Sequence, residues 1–468
     1  MSSTSIGIVP APVRVVPGDG TFTLTDATVS GPLAEYVSET LGLAVVESGG
    51  GVLLELSSGA APGGYRLEVV PTGIRLAADA TAGLFAGVQT LRQLAANGPV
   101  PCVAIEDHPR FSYRGAMLDV ARHFFAVADV KRYIDDIALL KFNHLHLHLT
   151  DDQGWRLEIL SRPELTAKGA TTQVGGGGGG YAAPLYYTQE EYREIVAYAA
   201  SRFITIVPEI DMPGHTNAAI VAYPELGDSP AEPYEGIEVG FSSLAIGSES
   251  TYDFIDDVVR EVVDLTPGPY LHLGGDESLS TTDEDFLTFI ARATAIAAAS
   301  GRTIVGWHEM GRSPDLPAGT VGQYWSFTSP QEGAAEHTLS FVEQGGRVIM
   351  SPADVAYLDM AYEPDAALGL VWANGPTSLE QAYDWDPADI VPGVGEEQLL
   401  GVEAPVWTET VRSIADAEYL AFPRMAAVAE IAWSPRGARQ SFADFASRLG
   451  SIEAVWDAAG IRHRPLDG

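Results

Sequence analysis

The sequence predicts an α/β protein, an eight-stranded (β/α)8 barrel of the TIM type preceded by a small α+β unit. Three observations predict it. Eight short apolar runs recur between residues 113 and 407, helical patterns separate most of them, and the first 108 residues follow a different rhythm. Short apolar runs without strict alternation suit strands buried on both faces, and strand-helix repetition feeds a parallel sheet. Eight such units close into a barrel.

In chain order, residues 1–108 form the first unit. GVLLEL (51–56) and YRLEVV (65–70) read as strands bounded by Gly- and Pro-rich joints. TAGLFAGVQTLRQLAANG (81–98) has apolar residues at helical spacing and stops at Asn-Gly. No catalytic constellation appears here, and an accessory unit packed on the next domain is expected. Residues 109–468 hold the strands YRGAMLDV (113–120), HLHLHLT (144–150), FITIVPEI (203–210), YLHLGGDE (270–277), TIVGWHE (303–309), VGQYWSF (321–327), RVIMSP (347–352) and LLGVEAPVW (399–407). VKRYIDDIALLKF (130–142) and TQEEYREIVAYAASRF (188–203) read as helices, the second opened by a Thr188/Glu191 capping box. The seventh unit is the weakest, because no clear helix follows residue 352. Six glycines at 175–180 support neither helix nor strand and read as a mobile loop, a flexible insertion rather than a lid.

Composition narrows the partners. With 27 basic and 63 acidic residues the net charge is −36, a field that repels nucleic acid and anionic membrane. Cys102 is the sole cysteine, which excludes an intramolecular disulfide and a cysteine-based metal cluster. No apolar run reaches the ~18 residues of a membrane span. The opening MSSTSIGIVPAP lacks the charged and apolar regions of a secretory signal. A cytoplasmic protein is the expectation; an exported one whose leader had been removed would read the same.

Barrel active sites lie at the C-terminal ends of the strands. There the sequence gathers Asp151 and Asp152 after strand two, Glu209, Asp211 and His215 after strand three, and Asp276 and Glu277 after strand four. Trp307, Trp325, Tyr357, Asp359, Trp407 and Glu409 follow the later strands, and Arg114 opens the first. Adjacent carboxylates on a regular strand point to opposite faces. Gly274 and Gly275 free the backbone so that Asp276 and Glu277 can turn toward one ligand. Like charges held close also separate their pKa values, leaving a proton-bearing acid beside an anion. Carboxylates and aromatic rings at one mouth suit a carbohydrate, whose C–H faces stack on rings while its hydroxyls meet charged groups. A rival reading uses His144, His146 and His148, which share one strand face, as ligands of a metal-dependent hydrolase. A sugar-binding protein without catalysis is the third.

The runs NHLHLHLTDDQGWRLEI (143–159), VPEIDMPGHTNAA (207–219) and HLGGDE (272–277) together resemble the family 20 β-N-acetylhexosaminidases. RGAMLDVARHFF (114–125) and VEAPVWTE (402–409) extend the resemblance over nearly the whole barrel, and the first 108 residues resemble that family's accessory domain. The resemblance implies an exo-acting, retaining enzyme that releases terminal N-acetylglucosamine, with N-acetylgalactosamine as the other candidate sugar. The substrate would be a small oligosaccharide such as chitobiose, or a glycoconjugate, and no metal or organic cofactor is implied.

Residue by residue, Glu277 matches the general acid/base and Asp276 the carboxylate that orients the 2-acetamido group. That group's oxygen would attack the anomeric carbon to give an oxazolinium intermediate, one of the exceptions to the two-carboxylate scheme. Tyr357 matches the residue that hydrogen-bonds the acetamido carbonyl. Trp307, Trp325 and Trp407 match aromatic walls, and Trp385 a further ring at the mouth. Arg114, Asp359 and Glu409 match residues that hold sugar hydroxyls, while Asp151, Asp211 and His215 match a supporting group beside the acid. The glycine run and the YAAPLYY that follows depart from the family's shorter linker.

Overall fold

The computed structural model describes residues 6–177 and 185–466. Seven strands build the first unit: β1 (Arg14–Phe22), β2 (Thr28–Ser30), β3 (Ala44–Val45), β4 (Val52–Leu56), β5 (Tyr65–Val70), β6 (Gly73–Ala78) and β7 (Val100–Asp107). They form one mixed sheet in the order β1-β7-β5-β6-β4-β2-β3. Alternation decides its faces. Along β5, Tyr65, Leu67 and Val69 are buried while Arg66, Glu68 and Val70 are exposed, so one face takes the helices Ala34–Leu41 and Thr81–Ala95. Trp433, from the far end of the chain, joins this core, and its indole donates to Asp107 at 3.0 Å. Lys141 donates to the same carboxylate at 3.0 Å, so a buried ion pair binds the sheet to the barrel.

The barrel closes through β8 (Tyr113–Asp119), β9 (His144–His148), β10 (Thr205–Glu209), β11 (Tyr270–His272), β12 (Thr303–Trp307), β13 (Val321–Tyr324), β14 (Val348–Met350) and β15 (Leu399–Val406). All eight pair in parallel with their sequence neighbours, and β15 returns to β8. The eight expected strands are these eight. They end earlier than expected on β11 and β13, where the chain leaves the sheet to carry side chains over the barrel mouth. All eight residues of β15 are buried, which is why such strands read as unbroken apolar runs.

Around the barrel run helices such as Val127–Leu139 and Gln189–Ser201. Thr188 caps the second reciprocally with Glu191. Between β14 and β15 the α-helical pieces are the short Ala353–Ala356 and Leu379–Tyr383, in keeping with the weak seventh unit. Gly175, Gly176 and Gly177 take left-handed φ angles of 73°, 73° and 70°. The rest of the glycine run, and with it half of the expected mobile loop at 175–180, lies outside the described residues. No described helix is long and apolar enough to cross a membrane.

Candidate active site

β11 stops at His272, and the next five residues make the site. Gly274 and Gly275 adopt φ values of 67° and 100°, where a Cβ is unwelcome. A Cβ on Gly274 would lie 1.6 Å from Asp211 Oδ1, and one on Gly275 2.4 Å from Met310 Cγ. The bare backbone lets Asp211 approach and accept from the Gly275 amide at 3.1 Å. Glu277 itself sits at φ 43°, a left-handed conformation uncommon for a side-chain-bearing residue. The turn thus aims both carboxylates at one imidazole: His215 Nε2 lies 3.8 Å from Asp276 Oδ2 and 3.4 Å from Glu277 Oε2.

His215 is held from behind, its Nδ1 donating to Asp151 Oδ1 at 3.2 Å. Burial opposes charge on this ring, but Asp151, Asp211 and Asp276 outweigh it and raise its pKa well above the usual histidine value. Burial lifts Asp276 to about 6, with His215 pulling it back and the charges of Glu277 and Glu209 adding to the rise. Burial and Asp276 also push Asp211 well above the carboxylate range, which keeps a proton between those two acids. Asp276 thus ionises near neutrality while Asp211 stays protonated beside it.

Aromatic rings wall the space beside the pair. Trp307, at the end of β12, lies 5.9 Å from Trp407 between ring centroids, and Tyr357 lies 6.2 Å from Trp407. Burial and the Asp276 charge hold the Tyr357 phenol protonated, a donor at all ordinary pH. Trp325 completes the wall, its indole donating to Glu309 at 2.9 Å. Asp359 accepts from the Trp407 amide at 3.3 Å and faces Glu409, and burial with their mutual charge raises Asp359 well above its usual value. Several buried polar atoms here have no partner among the described residues: Asp276 Oδ1, His215 Nε2, Trp407 Nε1, Asp359 Oδ2 and Glu409 Oε2. Donors and acceptors gathered without partners are a template for a polar ligand.

Two expected site residues lie elsewhere. Arg114 is the second residue of β8, at the N-terminal end of the barrel. It donates to Phe111 and Lys141 carbonyls at 2.9 Å each and stacks over Trp433, so it does not reach the mouth. Arg122 occupies the place expected of it. Three residues past the C-terminal end of β8, Arg122 pairs with Asp151 at 2.8 Å and lies 4.8 Å over the Trp407 ring, with Asp119 and Glu409 adding to its charge stabilisation. Trp385 is likewise not at the mouth. It is buried, donates to the Ala382 carbonyl at 3.0 Å, and lines a separate groove of 680 Å³ with Asp354, Asn374 and Asp384. Trp372 takes the mouth position instead, 47% exposed and edge-on to Trp325 and Tyr357 at 6.1 and 5.9 Å. Glu309 is the third residue absent from the sequence reading.

Two of the three histidines of β9 are bound to carboxylates. His144 bonds Asn143 at 2.7 Å and stacks on Tyr113 at 4.1 Å, one layer below the others. His146 lies between Glu403 and Glu209, at 2.9 and 3.0 Å, and His148 between Glu209 and Asp151. Burial disfavours both cations, yet the carboxylates prevail and bring His146 to about 10 and His148 to about 9. Held between carboxylates as imidazoliums, His146 and His148 offer no free lone pair in this protonation state, and His144 faces Asn143 and Tyr113 instead.

A closed parallel barrel with clustered carboxylates, imidazole and stacked rings at its mouth suits an enzyme acting on carbohydrate. The chain belongs to glycosyl hydrolase family 20: the family's catalytic-domain model matches residues 111–286 and 278–436, and its domain 2 model residues 5–108. It is a glycoside hydrolase. A β-N-acetylhexosaminidase of Cellulomonas fimi is 40% identical over 487 residues, covering 98% of this chain and 95% of that protein. Among solved structures, a Streptomyces plicatus β-hexosaminidase variant in complex with product GlcNAc superposes with a TM-score of 0.93 at 43% identity, over 98% of this chain and 96% of that one. The family 20 β-N-acetylhexosaminidase of Streptomyces coelicolor A3(2) gives 0.93 at 42% identity, over 98% and 97%.

Proposed function

We propose that this chain is an exo-acting, retaining β-N-acetylhexosaminidase that removes terminal N-acetylglucosamine by substrate-assisted catalysis. The observation that carries the reading is the buried, unpartnered Oδ1 of Asp276 beside Glu277 and the Trp307, Trp325, Trp407 and Tyr357 rings. In a two-carboxylate retaining glycosidase the groups flank the bond at ~5 Å, one on each side. Asp276 and Glu277 are chain neighbours that share one imidazole, an arrangement suited to two atoms of one sugar.

In the proposed reaction, Asp276 accepts the acetamido N–H and the Tyr357 hydroxyl donates to its carbonyl. The acetamido oxygen then faces the anomeric carbon. As it attacks, Glu277 gives its proton to the departing glycosidic oxygen, and the Asp276 carboxylate offsets the positive charge that develops on the oxazolinium nitrogen. Water then attacks the same carbon and loses a proton to Glu277, which restores the acid and the β configuration. The aromatic walls exclude water and hold the acetamido group in the attacking pose. Arg122, Asp359 and Glu409 suit the ring hydroxyls.

Proton NMR of the first product formed tests this. β-N-acetylglucosamine as the initial anomer, with competitive inhibition by a thiazoline analogue of the intermediate, is expected. An initial α anomer would remove the mechanism.

A further inference from the structure

We infer that Glu209 is a positioning residue for the acid Glu277, acting through His148, Asp151 and His215. The inference rests on Glu277 being the acid. Its basis is an unbroken file of acids and imidazoles running along the barrel interior. Glu403 Oε1 accepts from His146 Nδ1 at 2.9 Å, and His146 Nε2 donates to Glu209 Oε2 at 3.0 Å. The same oxygen accepts from His148 Nδ1. His148 Nε2 donates to Asp151 Oδ2 at 2.7 Å, Asp151 Oδ1 accepts from His215 Nδ1 at 3.2 Å, and His215 Nε2 reaches to 3.4 Å from Glu277 Oε2.

Every member before Glu277 is at most 2% exposed, so water cannot replace a lost partner. Carboxylate and imidazole alternate throughout. His146 and His148 meet a carboxylate at both nitrogens, Glu209 and Asp151 each accept from two rings, and Asp151 is also held by Arg122, so none of these can turn without breaking a charge-assisted bond; His215 is held through its Nδ1. The ring that touches the acid is thereby fixed from the middle of the barrel.

Glu209 is where the file is anchored. Its carboxylate also accepts from the Trp307 indole at 2.9 Å and lies 3.0 Å from His272 Nδ1, so side chains of β9, β11 and β12 meet on it. Replacing it with glutamine keeps an acceptor for Trp307 and removes the charge that holds His148 as a cation. His148 then loses its hold on Asp151, and His215 its fixed bearing on Glu277. The acetamido wall stays in place while proton delivery to the leaving group suffers.

The test compares kcat/KM of wild type, Glu209→Gln and Glu277→Gln on two N-acetyl-β-glucosaminides, one with a 2,4-dinitrophenyl and one with a methyl leaving group. For Glu209→Gln a loss of about ten-fold or more is expected on the methyl glycoside and less than about three-fold on the aryl one, since only a poor leaving group needs the proton. Equal losses on both substrates, or none, would overturn the inference. Glu277→Gln separates the two levels. If it shows no dependence on leaving group, the acid assignment itself is wrong; if it shows one and Glu209→Gln does not, only the file fails. Should Glu209→Gln not fold, imidazole ¹⁵N NMR of the wild-type protein decides, because the file requires His146 and His148 to carry protons on both nitrogens at about pH 8. A neutral ring at either position would overturn it.

Discussion

His215 sets its Nε2 3.4 Å from the Glu277 carboxylate while its Nδ1 is tied to Asp151 at 3.2 Å. The ring therefore ties a fixed support to the turn that carries both acids. Asp276 shares the same nitrogen at 3.8 Å, so the two carboxylates sense each other's charge through a common neighbour. Different tasks for these adjacent acids lead to different consequences when each is removed.

Glu277→Gln removes the proposed proton donor. Turnover of chitobiose should fall by about 10²-fold or more, the usual size of general-acid catalysis, with a much smaller loss on activated aryl glycosides. Steady-state kinetics on both substrates checks this, and near wild-type turnover of chitobiose would refute the role.

In the proposed reaction Asp276 must be ionised to stabilise the oxazolinium charge. Burial brings it to about 6, so below that pH the carboxylate protonates and its function is lost. The acid limb of kcat/KM should bend near pH 6 and fall about ten-fold per unit below it. Asp276→Asn should depress every substrate alike, whatever its leaving group, because cyclisation precedes or accompanies every departure.

Arg122 and Arg114 make a matched pair of tests. Arg122→Ala strips the cation from Asp151 and the neighbouring Asp119 and Glu409, and uncompensated buried charge costs about 3–5 kcal/mol. Thermal unfolding should shift down, and kcat/KM of the remaining folded enzyme should fall. Arg114→Lys sits at the other end of β8 and should leave kcat/KM per folded molecule unchanged.

Trp372 offers its face at the mouth, where a second sugar or an aryl group would rest. Trp372→Ala should cost about 1 kcal/mol of transition-state binding, roughly five-fold in kcat/KM for a disaccharide, with little effect on thermal stability.

The fold was legible because strands buried on both faces leave apolar runs, and the two glycines of YLHLGGDE marked where the chain turns its acids inward. The choice between Arg114 and Arg122 was less so. RGAMLDVARHFF holds both, and only the direction of the strand says that the second arginine reaches the mouth. Trp372 and Trp385 lie in the long excursion between β14 and β15, where no period places a side chain. Glu309 is aimed by a 3-10 turn directly after β12, a local twist without a sequence pattern of its own. The histidines showed a shared face, but not that Glu403, 257 residues from His146, closes on it.

The most direct test of the account is hydrolysis of 4-nitrophenyl N-acetyl-β-glucosaminide beside the matching β-glucoside, each with and without a chelator. Turnover of the acetamido sugar alone, unchanged by the chelator, is expected, because in the proposed reaction the substrate carries the nucleophile. Comparable turnover of the plain glucoside would mean that the protein supplies it, and the roles given to Asp276 and Tyr357 would fall.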